Sequence, residues 1–442
     1  MATRLGNAMV DARRNRLILA AIVLGILVLA LVLLAPGGRA SSRDGSLFDP
    51  RIGALRASDP AFEPTLALYT RAVIEPGTSA TVLLNGDETF PALWRDLRAA
   101  RMSIEIEQYF ARQGAVADTL AAILIEQARA GVHVRVLLDG LGAKTIDGTW
   151  LARLRAGGVE AVILRPLHWQ TLYRAGNRSH VRIVSIDDVI AYSGGLGFAD
   201  DWLGDGRSPG HWRETNVRVT GPVTAQFRAA FAGAWFEATG ELLTDIAAAA
   251  RRPVPAVPGN ARAGLFLSIA ADHKTAAPAF VALAIGSAEY RLYISSSYFI
   301  PDSAMRAWLI DAAQRGVDVR IITAGTSTDV PAARLAGHNA YGDLLRGGVR
   351  LYEYAPAMMH AKTIVVDGRW TSIGSMNLDR RSLSLNDEAN LLVFSPTVAA
   401  QMDSVFCDDL RYSRELTLLQ YEQRGWASRL LDWLAMLGSR ML

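Results

Sequence analysis

Cysteine is nearly absent from this chain. Of 442 residues only Cys407 carries a thiol, which excludes an intramolecular disulfide and leaves the redox compartment undetermined. Lysine is almost as scarce: of 46 basic residues only Lys144, Lys274 and Lys362 are not arginine. The bias is compositional, and against it each surviving lysine gains interest. An excess of one charge is also lacking. The formal net charge is +3, with no concentrated basic run, so nucleic acid is not the expected partner. No Gly-rich phosphate loop or dinucleotide fingerprint occurs, and no Cys, His and carboxylate cluster has zinc spacing; neither cofactor nor metal is implied. What remains is half hydrophobic and only 20% charged, the composition of a globular enzyme of two or three domains with some membrane character.

The membrane character is local. Residues 17–35, LILAAIVLGILVLALVLLA, carry no charge. At 1.5 Å per residue this run gives ~28 Å of helix, enough to cross a bilayer core. It is longer than a secretory apolar core and no small-x-small cleavage site follows, so an uncleaved anchor is expected. Arg4, Arg13, Arg14 and Arg16 precede it, whereas Arg39 and Arg43 follow with Asp44 beside them. This skew places residues 1–16 in the cytoplasm and the body on the far side of the membrane. Residues 36–62 and 251–264 are rich in chain breakers and read as linkers. The expected divisions are therefore a tail (1–16), a span (17–35), a linker (36–62), a first domain (63–250), a linker (251–264), a second domain (265–415) and a C-terminal helix (416–442).

The two domains look alike. The first contains ILIEQARAGVHVRVLLD, then LARLRAGGVEAVIL, then His180; the second contains WLIDAAQRGVDVRIIT, then YGDLLRGGVRLYEY, then His360. Gly131 and Gly158 match Gly316 and Gly348 at nearly the offset of the two histidines, and Tyr109-Phe110 matches Tyr298-Phe299. Self-similarity at a fixed offset is a duplication signal, and two long copies make a pair of fused domains rather than a solenoid. Within each copy SIEIEQYF and RLYISSSYF read as strands. Residues 116–130 and 303–315 have helical apolar spacing ending at Gly131 and Gly316, and VHVRVLLD and VDVRIIT are strands again. The expectation is an α/β fold of mixed sheets covered by helices.

Chemistry concentrates in the second copy: His360-Ala-Lys362-Thr-Ile-Val-Val-Asp367, then Gly374-Ser375-Met376-Asn377. His360 and Lys362 are two apart, so an extended chain puts them on one face. Ser375 and Asn377 repeat that spacing after a turn at Asp367-Gly368. An imidazole, an ammonium, a hydroxyl and an amide on one surface suit a phosphodiester: the cation and neutral donors hold non-bridging oxygens, and the imidazole attacks phosphorus or protonates the leaving oxygen. The first copy has His180-Val-Arg182-Ile-Val-Ser-Ile-Asp187, then Gly194-Gly195-Leu196-Gly197, in the same register.

With these motifs the chain resembles the phospholipase D superfamily, whose pattern is His-x-Lys, four residues, then Asp, with Gly and Asn downstream. The likeness covers most of residues 80–415 and is strongest to bacterial cardiolipin synthases, in LLNGDETFPALWRDLRAARMSIEIEQYF, HWRETNVRVTGPV and SIGSMNLDRRSLSLNDEANL. It implies two fused phospholipase D-like α/β domains related by pseudo-twofold symmetry, here with one N-terminal transmembrane helix. It further implies a metal-independent two-step transfer through a phosphohistidine. By position His180 resembles the nucleophile and His360 the general acid and base, although the near-symmetry of the copies leaves the order open. Arg182, Lys362, Ser375, Asn377 and Gly195, through its backbone N–H, would bind phosphate. Glu388 sits where the family places a carboxylate that orients an imidazole, and Glu214 is expected to serve His180 similarly. Asp187 and Asp367 are expected to be structural. The first copy departs twice: Arg182 replaces Lys but keeps a charged, planar fork, and Gly197 replaces Asn, removing one neutral donor.

The remaining histidines, His133, His168, His273 and His338, have no partner motif and read as structural; His211, beside Trp212, rims the site or packs. The C-terminal LLQYEQRGWASRLLDWLAMLGSRML places Leu, Trp and Met on helical spacing with Arg424, Arg429 and Arg440 between them. It either lies at a headgroup interface, with Trp426 and Trp433 amphipathic, or packs on the body. Anchor, C-terminal helix and family likeness together imply a bacterial inner-membrane enzyme, single-pass, with a phospholipid substrate, phosphatidylglycerol, and the bilayer as partners. Its expected activity is phosphatidyl transfer between two phosphatidylglycerol molecules. The alternatives are a phospholipase D, a nuclease of the superfamily, and a lipid-binding scaffold. Nothing in the residues sets the oligomeric state.

Overall fold

A computed structural model describes residues 55–167, 176–244, 260–270 and 276–438. The apolar run at 17–35, residues 251–259 of the linker expected at 251–264, His168, His273 and Lys274 lie outside the described residues; the rest of that expected linker, from Ala261, is strand. Among the described residues no helix is long and apolar enough to cross a membrane.

The first copy supplies β1 (Glu75–Leu84), β2 (Ser103–Gln108), β3 (His133–Asp139), β4 (Glu160–Leu164), β5 (Arg178–Ser179), β6 (Arg182–Ile186), β7 (Ile190–Gly194) and β8 (Thr215–Thr220). The second supplies β9 (Ala261–Ser268), β10 (Arg291–Ser296), β11 (Asp318–Ala324), β12 (Arg350–Tyr354), β13 (Thr363–Val366), β14 (Trp370–Gly374), β15 (Asn386–Phe394) and β16 (Ser413–Leu416). All but β5, which pairs β15 off this path, form one mixed sheet in the order β16-β12-β11-β10-β13-β14-β15-β9-β1-β8-β7-β6-β2-β3-β4. Apart from the added edge strand β16, the order is a palindrome: each strand of one copy has its counterpart at the same distance from the β1·β9 seam. That seam is antiparallel, with Glu75 opposite Ala263 and Thr78 opposite Ala261.

Local chemistry explains the crossovers. The helix Ala115–Arg129 links parallel β2 and β3, and Ser303–Gln314 links β10 and β11. Asp302 caps the latter by accepting from Met305 N at 2.8 Å, and both helices stop where Gly131 and Gly316 turn left-handed at φ 91° and 93°. Asp187 and Asp367 close the two hairpins with φ 55° and 53°, a region that short polar side chains tolerate best. Each carboxylate accepts three consecutive backbone N–H groups at the start of the neighbouring strand: Arg101, Met102 and Ser103 for Asp187, and Glu289, Tyr290 and Arg291 for Asp367. They tie strand ends, away from the histidines.

One core runs across the seam. Val217, Val219, Phe227, Phe231 and Trp235 of the first copy pack in the same cluster as Leu391, Val393, Met402 and Phe406 of the second. Each such large side chain contributes roughly 1.5–3 kcal/mol when fully buried, so the two halves are held as one body.

Two short cross-pairings decide the site. β5, just before His180, adds in parallel to β15 of the other copy, pairing Arg178 with Asn386 and Ser179 with Asp387. Reciprocally, Arg213 bridges Met359, just before His360. His180 N donates to Asp387 O at 2.8 Å and His360 N donates to Arg213 O at 2.7 Å. Each histidine therefore hangs from the residue that precedes a glutamate of the opposite copy.

Candidate active site

That backbone exchange crosses the side chains. His180 Nδ1 lies 2.8 Å from Glu388 Oε2, and His360 Nδ1 lies 2.5 Å from Glu214 Oε2. The expectation that Glu214 serves His180 is thus corrected: Glu214 serves His360, because β8 presents it beside the chain entering His360 rather than beside its own copy's histidine. A carboxylate at Nδ1 favours the tautomer with its proton there and turns Nε2 to the cations, Arg182 for His180 and Lys362 for His360.

The two imidazoles are joined by one set of groups. Arg182 Nη2 is 3.3 Å from His180 Nε2. The same guanidinium lies 5.5 Å from the ring of Trp202, and that ring stands at 90° to His360 with centroids 5.1 Å apart. Lys362 Nζ lies 2.9 Å from both ring nitrogens of His360 and donates to Ser297 Oγ at 2.7 Å. Tyr109 packs edge-on to His180 at 4.8 Å, and Trp212 lies 5.0 Å from His360.

Burial sets the electrostatics. It pushes the His180 imidazole below its ordinary value, against the pull of Glu388. It pushes His360 further down, aided by the Lys362 and Arg182 charges. Lys362 itself is lowered to about 7 by burial, opposed by Glu214. The carboxylates diverge. For Glu388 burial is outweighed by His180 and by the hydroxyls of Ser375 and Ser382, leaving it below the ordinary range. For Glu214 burial wins and holds it above that range, despite Lys362 and the Thr215 N–H. Two cations and two imidazoles, buried together, favour a phosphodiester anion and can stabilise charge developing on it.

The candidate phosphate binders divide. Lys362, Arg182 and Asn377 are buried at the site; Asn377 Oδ1 has no hydrogen-bond partner, an acceptor open to a ligand hydroxyl, whereas phosphate oxygens would need the amide's NH2. Ser375 is not: its hydroxyl donates to Glu388 Oε2 at 2.6 Å and accepts from Ala389 N at 3.0 Å. The phosphate-binding expectation for Ser375 gives way to a role behind Glu388. The carbonyl of Gly195, not its N–H, is the group seen engaged, accepting from Arg182; a Cβ at Gly195 would fall 2.5 Å from Glu214 Oε2. His338 pairs with Glu353 at 2.9 Å, remote from this set in its own network with Arg334 and Arg424.

The family described as "Cardiolipin synthase, PLD-like domain" matches residues 281–410. The cardiolipin synthase of Geobacillus thermodenitrificans is 32% identical over 390 residues, covering 87% of this chain and 77% of the relative. The chain belongs to the cardiolipin synthase family. Cardiolipin synthase A of Pseudomonas syringae is 33% identical over 362 residues, covering 82% of this chain and 74% of that one. Among solved structures, the phosphatidylserine synthase of Haemophilus influenzae shares the fold, with a TM-score of 0.65 over 86% of this chain and 100% of that one at 14% identity.

For this cardiolipin synthase family member, motif reading overlooked three side chains that touch the reacting set. Ser297 holds Lys362, and its signal was the serine run before Tyr298-Phe299. Tyr109 flanks His180, and the repeated Tyr-Phe pair had marked the position without a role. Trp202 touches Arg182, His360 and Glu214; it lies outside any motif and only the fold brings it in.

Proposed function

We propose that the chain is a phosphatidyltransferase that makes cardiolipin and glycerol from two phosphatidylglycerol molecules, without a metal. Nε2 of His180 attacks phosphorus as the bond to the glycerol headgroup breaks, and His360 delivers a proton to the departing oxygen. The headgroup hydroxyl of a second phosphatidylglycerol then attacks the phosphohistidine while His360 takes its proton, and the N–P bond breaks to restore His180. Lys362, Arg182 and the Asn377 amide hold the non-bridging oxygens. The observation that carries this reading is the pair of crossed imidazole–carboxylate dyads, at 2.8 and 2.5 Å, with a cation beside each. Neither dyad is complete within one copy, so one site per chain follows.

The aromatic surround of Tyr109, Trp202 and Trp212 supports an alcohol acceptor over water. The helix Trp426–Gly438 supports a bilayer partner: Trp426, Leu430, Trp433, Leu434 and Leu437 are between 45% and 79% exposed on one helical face, an arrangement suited to a headgroup interface. On this reading residues 17–35 cross the bacterial inner membrane once, residues 1–16 are cytoplasmic, and the body lies outside. The first phospholipase D-like domain spans 63–250, and the second begins with β9 at Ala261, inside the stretch expected to be linker, and runs through β16 to Leu416.

Purified protein given phosphatidylglycerol tests the proposal. Cardiolipin with release of glycerol supports it; phosphatidic acid identifies a phospholipase D; no turnover identifies a scaffold. Both His180→Ala and His360→Ala are expected to abolish product, and full activity in either removes the shared site.

A further inference from the structure

Gly197 stands where the second copy has Asn377. The backbone does not require glycine there, since Gly197 is not among the residues with positive φ. A side chain is excluded by its neighbour: a Cβ on Gly197 would meet the Trp202 ring at 2.7 Å and Phe110 O at 3.2 Å. Trp202 is fully buried and wedged against Phe110, Trp212 and His360, so the ring cannot step aside.

The second copy solves the same positions differently. Five residues beyond Asn377, as Trp202 is five beyond Gly197, stands Ser382, whose hydroxyl accepts from Asn377 N at 3.2 Å and also reaches Glu388. Trp202 Nε1 donates to Glu214 Oε2 at 3.2 Å. Each copy thus uses this position to hold its own carboxylate, which in turn orients the other copy's imidazole. Small-plus-large (Gly197, Trp202) and large-plus-small (Asn377, Ser382) are two fillings of one space. Only the first puts an aromatic face under a guanidinium, that of Arg182 at 5.5 Å, and only the first copy has arginine in the basic position.

We propose that Trp202 is a positioning residue of the active site: its indole occupies the space of the side chain that Gly197 lacks, its N–H holds Glu214 against His360, and its ring seats Arg182. This rests on the reading of His360 as the proton carrier. It accounts for both departures of the first copy, Gly197 and Arg182, as one coupled arrangement.

The test uses the full chain with phosphatidylglycerol in mixed micelles, and in parallel with bis(p-nitrophenyl) phosphate. Trp202→Phe keeps the ring and deletes the N–H. A hydrogen bond to a buried charge is lost, so kcat is expected to fall by about 10- to 100-fold with KM within about twofold and the melting temperature little changed. An unchanged kcat overturns the proposal. Gly197→Asn alone is expected to lose activity at least as far, because the amide and the indole compete for one volume. Combining Gly197→Asn with Trp202→Ser reproduces the Asn377–Ser382 pair and is expected to recover to within about tenfold of wild type. A double variant no better than Gly197→Asn overturns the proposal, and this comparison decides it should Trp202→Phe fail to fold. If wild type leaves phosphatidylglycerol intact but releases p-nitrophenol, the lipid reading fails alone, and the same comparisons are read on p-nitrophenol.

Discussion

Replacing Glu388 with glutamine probes the catalytic arrangement most directly. The carboxylate is buried and held below the ordinary range by His180, Ser375 and Ser382, so the substitution removes a real negative charge at neutral pH. The amide can keep its oxygen toward His180 Nδ1 and Ser375 Oγ, which both meet Oε2; its NH2 then faces Asn386, whose amide reaches Oε1 at 3.4 Å and whose own oxygen has no partner, so that side chain can turn to accept. The tautomer of His180 then survives, and the loss is electrostatic. A unit charge about 4 Å from the ring is worth about 4 kcal/mol at an effective dielectric of 20. Positive charge on the imidazole is only partly developed when phosphorus is attacked, so about 3–4 kcal/mol is the expected loss. At 1.36 kcal/mol per decade that is about 10²- to 10³-fold. The measurement is the single-turnover release of glycerol from phosphatidylglycerol, which reports phosphohistidine formation before the second alcohol acts. Glu388→Gln should slow that burst by the stated factor with little change in KM. A burst within about threefold of wild type would refute the reasoning, since no anion behind His180 would then be needed.

Lys362 lies near pH 7 in the free protein. If the ammonium binds phosphate, kcat/KM is present below that value and declines as pH rises through about 7, to about one-tenth at pH 8. Lys362→Arg, which stays charged, should remove that limb, and its persistence would assign the limb to another of the groups facing Lys362, His360 first. Glu107 is raised to about 8 by burial, with Ser179 Oγ at 2.6 Å. A carboxyl raised in the folded state contributes stability that is present below its unfolded value, about 4.5, and is lost as pH climbs to about 8. Glu107→Gln should therefore melt a few degrees above wild type at pH 9 and near it at pH 5; parallel melting curves at both pH values would contradict this. Replacing Trp426, Trp433 and Leu437 with serine should depress cardiolipin formation in bilayers while leaving it intact in detergent micelles, and equal loss in both would place the helix in packing rather than at the lipid surface.

Much of the scaffold was legible because its signals are local. Helices expected at 116–130 and 303–315 occur at Ala115–Arg129 and Ser303–Gln314, since apolar spacing and the glycines that end them act within a few residues. The histidines and cations were legible for the same reason, as two-residue spacings repeated in register. The carboxylate partners were not. Glu214 and His360 are 146 residues apart, and Glu388 and His180 are 208 apart. Their pairing is decided by the β5–β15 and Arg213–Met359 contacts, which are too short to have a sequence pattern. Ser375 was misplaced because spacing gives the face a hydroxyl lies on but not its partner. Trp202 was invisible because its role is to fill the volume left by a glycine, a relation that exists only in three dimensions.

The crossing has a consequence for how one phosphorus can be served by two chemically identical rings. A nucleophile that becomes a cationic phosphohistidine benefits from a partner that stays anionic, and Glu388 has two hydroxyls holding it so. A proton carrier needs the opposite: an imidazolium that surrenders its proton to a departing alkoxide. Glu214, held above the ordinary carboxylate range, is the weaker anion, and Lys362 and Arg182 crowd His360 with positive charge. Environments that push two like groups apart divide acid from nucleophile without any change in the groups themselves. The differences lie at Gly195 against Ser375, Gly197 against Asn377 and Trp202 against Ser382, none of them a histidine. Since the carboxylate that tunes each ring comes from the other copy, changes confined to the first copy's loop retune the second copy's imidazole. Exchanging these three residues between copies, with both histidines untouched, should therefore move the nucleophile's role toward His360. The site that carries the phosphoryl group in a trapped intermediate would report it, and phosphate remaining on His180 would show that position along the chain, not the carboxylate's surroundings, sets the division of labour.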